Sequence, residues 1–130
     1  MIFLDVNFLI SLFYNGHEKQ KRAIEIWNNI KDKELVISNL VITEVITVLN
    51  MKLKQDKNEL KEVYFNLIEN FTILEDINLY DEAMEKVINY TDRIPFFDCV
   101  YIAMMEKLRI KEIISFDKHF DNKKGITRIH

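Results

Sequence analysis

Met1-Ile2-Phe3-Leu4-Asp5-Val6-Asn7 opens the chain with an unbroken apolar run that ends in a carboxylate, and an amide follows two positions later. A short apolar run without alternation suits a strand covered on both faces, as in a parallel α/β sheet. Asp5 then sits at the carboxyl end of that strand. In open α/β sheets ligands bind outside the carboxyl ends of the strands, near the point where strand order reverses, so the first strand is a natural centre for chemistry.

Moving outward, Phe8 to Tyr14 continues apolar and Asn15-Gly16 reads as a turn. A helix follows with Ala23, Ile24, Trp27 and Ile30 at core spacing. Leu35-Val36-Ile37 is a second strand, and Ser38 or Asn39 can cap the helix after it, about Leu40 to Lys54. That helix is apolar on most sides, so one flank is expected to meet something besides its own core. Asp56 or Lys57 opens another helix, whose Leu60, Val63, Tyr64, Leu67, Ile68 and Phe71 repeat as one buried face.

Thr72-Ile73-Leu74 reads as strand three, and Asn78 as the cap of a helix running to about Tyr90 with Asp81 and Glu82 in its first turn. Pro95 suits the first turn of a helix containing Asp98. Glu112-Ile-Ile-Ser115 is strand four and Gly125 to Ile129 strand five. Strands alternating with helices predict right-handed parallel crossovers, hence a three-layer α/β/α fold around a central five-stranded parallel sheet.

Composition sets bounds. The 130 residues fit one domain, 1–130, and two glycines with one proline leave little material for linkers or disorder. A single cysteine, Cys99, excludes an internal disulfide framework and points to a reducing compartment. With no basic leader and an apolar start cut by Asp5, the expected location is cytoplasmic, with no membrane span. A net charge of −3 argues against gripping nucleic acid by bulk basicity. Two basic runs, Lys52, Lys54, Lys57 and Lys61, then Lys118, His119, Lys123, Lys124 and Arg128, read first as solvated faces.

The chemistry lies in the acids. Asp5 follows strand one, Glu44 lies early in the helix after strand two, Asp98 opens its helix, and Asp117 follows strand four. In right-handed crossovers all four positions share one rim of the sheet, and they converge if strands one and four are neighbours. Each alone is also a common turn, cap or surface residue. Crowded carboxylates raise one another's pKa, so a site that keeps several ionised calls for a cation. Oxygen ligands favour Mg²⁺ or Mn²⁺ over zinc. His17 and His119 read as surface residues, His130 as the chain end, and Cys99 as a small core residue.

Ile2 to Asn7, Ser38 to Glu44, Phe97-Asp98-Cys-Val-Tyr-Ile-Ala103 and Ile113-Ile-Ser115-Phe-Asp117-Lys-His-Phe120 together resemble the motifs of the PIN domain family, over nearly the whole chain. In size and pattern the chain is similar to VapC-type toxins. The resemblance implies a Mg²⁺- or Mn²⁺-dependent ribonuclease, often dimeric and often held inactive by an antitoxin. It assigns Asp5, Glu44, Asp98 and Asp117 to the acidic site, with Asp5, Asp98 and Asp117 on the metal. Asn7, Ser115 and Asp121 would support them. The expected reaction is metal-assisted hydrolysis of RNA. The alternatives are a PIN-like module that binds RNA or protein without cutting, and an RNA-processing nuclease with no antitoxin. A phosphoryl-accepting α/β domain is disfavoured because Asp5-Val6-Asn7 has no second aspartate.

Overall fold

The structure, a computed structural model, describes residues Met1–His130. Strand β1 (Ile2–Leu4) leads into helix α1 (Val6–Phe13), and α2 (Gln20–Ile30) completes the first crossover to β2 (Leu35–Ser38). Helices α3 (Asn39–Met51) and α4 (Lys57–Asn70) connect β2 to β3 (Thr72–Leu74). A short 3-10 turn, α5 (Tyr80–Asn89) and α6 (Phe96–Leu108) lead to β4 (Glu112–Ile114), and a second 3-10 turn precedes β5 (Thr127–Ile129). All pairings are parallel, in the order β3-β2-β1-β4-β5.

This order follows from the crossovers. The chain steps from β1 to β2 to β3 in one direction, then returns to the other side of β1 for β4 and β5. Right-handed connections therefore put α1 to α4 on one face and α5 and α6 on the other. The helix contacts agree: α1 packs on α2 and α3, α3 packs on α4, and α5 packs on α6. Strand order reverses between β1 and β4, where Leu4 lies opposite Ile114. The next residues along the two strands, Asp5 and Ser115, thus emerge side by side at the carboxyl edge.

The buried strands explain the unbroken apolar runs. Phe3, Leu4, Val36, Ile37, Ile113 and Ile114 are fully buried between the helical layers, and the Phe3 ring lies 5.2 Å from that of Tyr101 on α6. Helix α6 is buried almost throughout from Asp98 to Met105, because it meets the sheet through Tyr101 against Phe3 and also packs on α5. Cys99 is one of its core residues.

Several local expectations shift. Helix α2 buries Ala23, Ile26 and Ile30, while Ile24 faces out and Trp27 is half-buried, its indole edge-on to Phe71 at 6.1 Å. Two apolar stripes share that helix, and the one through Ala23, Ile26 and Ile30 is the one buried as α2 packs on α1. On α4 only Val63 and Leu67 are buried within the helix; Tyr64 and Ile68 are exposed, because α4 packs chiefly on α3 and has nothing on its outer flank.

The caps differ too. Neither Ser38 nor Asn39 caps α3 locally; Asp76, from the connection after β3, accepts from Leu40 N at 3.4 Å, and its own N–H donates to Asn39 Oδ1 at 3.1 Å. Asn78 lies inside the 3-10 turn, and α5 begins two residues later. Pro95 stands just before α6, its carbonyl accepting from Asp98 N at 3.0 Å. Helix α3 spends most of its apolar surface within the fold: Val41, Val45 and Leu49 are buried, Leu40, Ile42, Ile46 and Val48 are half-buried, and Met51 is exposed. The larger exposed apolar areas lie instead on α4 and β3 (Tyr64, Phe65, Ile68, Ile73) and around α5 (Ile77, Met84, Val87, Ile88).

Candidate active site

Asp5 ends β1 and begins α1, so its carboxylate serves as a cap: Oδ1 accepts from Val6 N at 2.8 Å. Its Oδ2 accepts from Ser115 Oγ at 2.6 Å, across the β1/β4 boundary. Ser115 in turn accepts from Asp117 N at 3.0 Å, fixing the chain as it leaves β4. Asn7, expected to serve the acids, holds this same exit: its Oδ1 accepts from Phe116 N at 3.1 Å. A short 3-10 turn follows, capped by Asp117 Oδ1, which accepts from His119 N at 3.0 Å.

That cap turns the imidazole of His119 back toward the acids. Its Nδ1 lies 2.8 Å from Asp98 Oδ2 and 3.1 Å from Asp117 Oδ2. His119 is therefore no bystander on the surface, which corrects the reading from sequence. Oxygens of Asp98 and Asp117 and a ring nitrogen of His119 lie within 4.8 Å of one another, a grouping able to hold a metal ion.

Asp5, Glu44, Asp98 and Asp117 all line one cavity of about 180 Å³, with Val6, Asn7, Ile10 and Phe97. Its electrostatics are strained. Burial raises the Asp5 carboxyl from 3.8 to about 6, assisted by the charges of Asp117 and Glu44 and opposed by the Ser115 and Val6 donors. Burial and then the charge of Asp5 raise Asp98, while His119 pulls it down. Glu44 is raised by burial, with Lys52 acting the other way. Carboxyls pushed upward together by burial and mutual repulsion are those a divalent cation would return to the ionised state. Oxygen-rich donors with one imidazole fit such an ion.

Asp121 is not brought to this cavity. Arg128 on β5 holds it in a two-point pair, Nε to Oδ1 at 2.7 Å and Nη2 to Oδ2 at 3.0 Å, and this pairing lowers its pKa. The same Arg128 donates to Ser115 O at 3.1 Å. Asp121 thus braces the loop after β4 from behind.

A PIN domain family model matches residues 2–126. No curated protein matches the chain significantly. Among solved structures, the fold is similar to that of VapC20 from Mycobacterium tuberculosis, described as a sarcin-ricin loop cleaving toxin, with a TM-score of 0.80, 22% identity and 92% of each chain covered. It is also similar to a chain of a toxin-antitoxin complex from Klebsiella pneumoniae, with a TM-score of 0.70, 20% identity, and 98% of this chain and 96% of that one covered. VapBC2 from Rickettsia felis, bound to a promoter DNA fragment, matches with a TM-score of 0.69 and 12% identity over 99% and 98% of the chains.

Proposed function

The chain belongs to the PIN domain family, and from that premise we propose that it is a metal-dependent ribonuclease, the toxin of a toxin-antitoxin pair. The observation that carries the reading is the convergence of Asp5, Glu44, Asp98 and Asp117 on one cavity at the strand-order reversal.

In this reading Asp98 and Asp117 would hold Mg²⁺ or Mn²⁺, with His119 able to offer a ring nitrogen and Asp5 completing the acidic set. The chemistry such an ion supplies when bound is polarisation of the phosphodiester and a lowered pKa for attacking water. The protein's own groups do the rest. Ser115 keeps Asp5 oriented and lowers its pKa, so the carboxylate is available near neutral pH. Asn7 and Arg128 hold the loop that carries Asp117. Glu44, which lines the same cavity, would orient an attacking water or accept its proton.

An antitoxin partner is part of the proposal, supported by the toxin-antitoxin complexes among the structural neighbours. So is a homodimer, for which the exposed apolar side chains on α4 and α5 offer area. A cytoplasmic location accords with the single buried thiol. No helix is long and apolar enough to cross a membrane.

Purified protein should cleave RNA in Mg²⁺ or Mn²⁺ and stop in chelator, and Asp98→Asn should abolish the cleavage. Full activity in chelator, or in Asp98→Asn, would sink the proposal. Light scattering of the purified chain reads the dimer directly: a strict monomer at micromolar concentration counts against it.

A further inference from the structure

Beside the acidic cavity, and sharing Asn7, Ile10 and Asp117 with it, runs a larger cleft of about 680 Å³. Its charged lining is Lys19, Lys52, Lys118 and the single carboxylate of Asp117, with His17 and His119 alongside. In a chain of net charge −3 that is a marked segregation of positive charge. Its floor is apolar, formed by Ile10, Val48, Leu53 and Phe116. The volume lies within the range of about 300–1,000 Å³ that small-molecule-sized groups occupy.

We propose that this cleft seats the unpaired RNA strand next to the scissile phosphate, with Lys19 and Lys52 on its phosphates and Phe116 stacking a base. The inference rests on the nuclease reading for what happens at the acids, and on the cleft alone for what binds.

Phosphate contacts account for Lys19 and Lys52, both exposed and projecting from different helix ends into one groove. Lys52 is close enough to the acids to oppose the raised pKa of Glu44. An apolar floor is of no use to a duplex, which presents phosphates and sugars outward, but it suits an unstacked base. Phe116 is held for that role: its N–H is fixed by Asn7, its ring lies 6.3 Å from Phe8, and the Lys19 ammonium stands 4.9 Å from its centroid. An exposed cation-π contact is weaker than base stacking on the same face, so an arriving base displaces the ammonium. The freed ammonium then reaches the backbone. The other lysines of the middle basic run, Lys54, Lys57 and Lys61, do not line the cleft, so Lys52 alone is recruited from it.

The test is fluorescence anisotropy with a short labelled single-stranded RNA and a perfectly paired hairpin closed by a non-nucleotide linker, in chelator so that nothing is cut, across a salt series. The Lys19→Ala/Lys52→Ala double variant should bind the single strand roughly tenfold more weakly, and its salt slope should fall by about 0.7 for each lost contact. Phe116→Leu should weaken single-strand binding several-fold and leave hairpin binding unchanged. Lys61→Ala is the charge control and should match wild type. In cleavage assays Lys19→Ala, the lysine with no charge effect on Glu44, should raise KM more than it lowers kcat. An unchanged affinity and salt slope in the double variant, or equal wild-type affinity for hairpin and single strand, would overturn the inference. Because these variants of exposed lysines leave the core intact, a null result is not a folding failure. If wild type binds with these signatures yet never cleaves, the nuclease reading fails and the cleft assignment stands.

Discussion

Ser115 Oγ donates to Asp5 Oδ2 at 2.6 Å, joining two residues 110 positions apart at the place where the strand order reverses. The same oxygen accepts from Asp117 N. One buried hydroxyl thus sets the relation between an acid of β1 and an acid beyond β4. Removing it leaves Asp5 with Val6 N as its remaining protein donor.

Ser115→Ala should therefore destabilise the protein by about 2 kcal/mol, the usual worth of a hydrogen bond to a charged group. Because that bond lowers the pKa of Asp5, its loss should also move the acidic limb of the pH-activity profile to higher pH. Ser115→Thr retains the donor and should keep the limb in place. Melts and rate profiles read both; a Ser115→Ala profile that superimposes on wild type refutes the positioning role.

His119→Ala removes the imidazole that lies between Asp98 and Asp117. If the ring is a ligand or orients the acids, Mn²⁺ affinity should drop by about tenfold or more. Calorimetric titration measures it. An unaltered affinity would mean that the ring merely fills the space between the two carboxylates.

The strand that decides the fold was legible because burial on both faces leaves a mark in adjacent residues, as in Ile2-Phe3-Leu4. The acids were legible because Asp5 and Asp117 each follow a strand, Asp98 opens a helix and Glu44 lies early in one, and parallel crossovers send all such positions to one rim. His119 was not. Its place depends on a 3-10 turn capped by Asp117, and the only local signal was the Asp-x-His spacing from 117 to 119. The place of Asp121 was hidden for a similar reason: nothing near it in sequence announces that Arg128 will take its carboxylate. The cap of α3 by Asp76 is also a contact between distant segments, and the cleft that Lys19 and Lys52 both line is assembled from segments far apart in sequence. Periodicity on α4 gave the stripe but not how much of it would find a partner.

Asp5 makes stability depend on pH in a particular sense. Its folded pKa, about 6, exceeds the ordinary 3.8, so between those values the folded state binds more protons than the unfolded chain. This contribution to stability is fully present below pH 3.8, falls as pH rises, and is lost above about 6; the difference is roughly 3 kcal/mol. In chelator, Asp5→Asn should gain on wild type as pH rises from 4 to 7. Melting curves at matched pH test it, and a constant offset between the two proteins across that range would contradict the assignment.

Metal binding should reverse this penalty, since a cation that binds the folded acids and not the unfolded chain stabilises in proportion to its saturation. At about a hundred times the dissociation constant the gain is roughly 2.7 kcal/mol. For a domain of this size that is a rise of several degrees in Tm. The acids pull the two conditions apart. Neutralising one of them relieves repulsion when no ion is bound and weakens the ion's hold when it is. Asp117→Asn should therefore melt at or above wild type in chelator, offset only by the loss of its charge beside His119, yet gain far less from Mn²⁺. Glu85→Gln, exposed on α5, should track wild type in both conditions. Equal Mn²⁺-induced shifts in wild type, Asp117→Asn and Glu85→Gln would show that the carboxylates around this cavity do not share a cation, and the proposed hydrolysis would lose its physical basis.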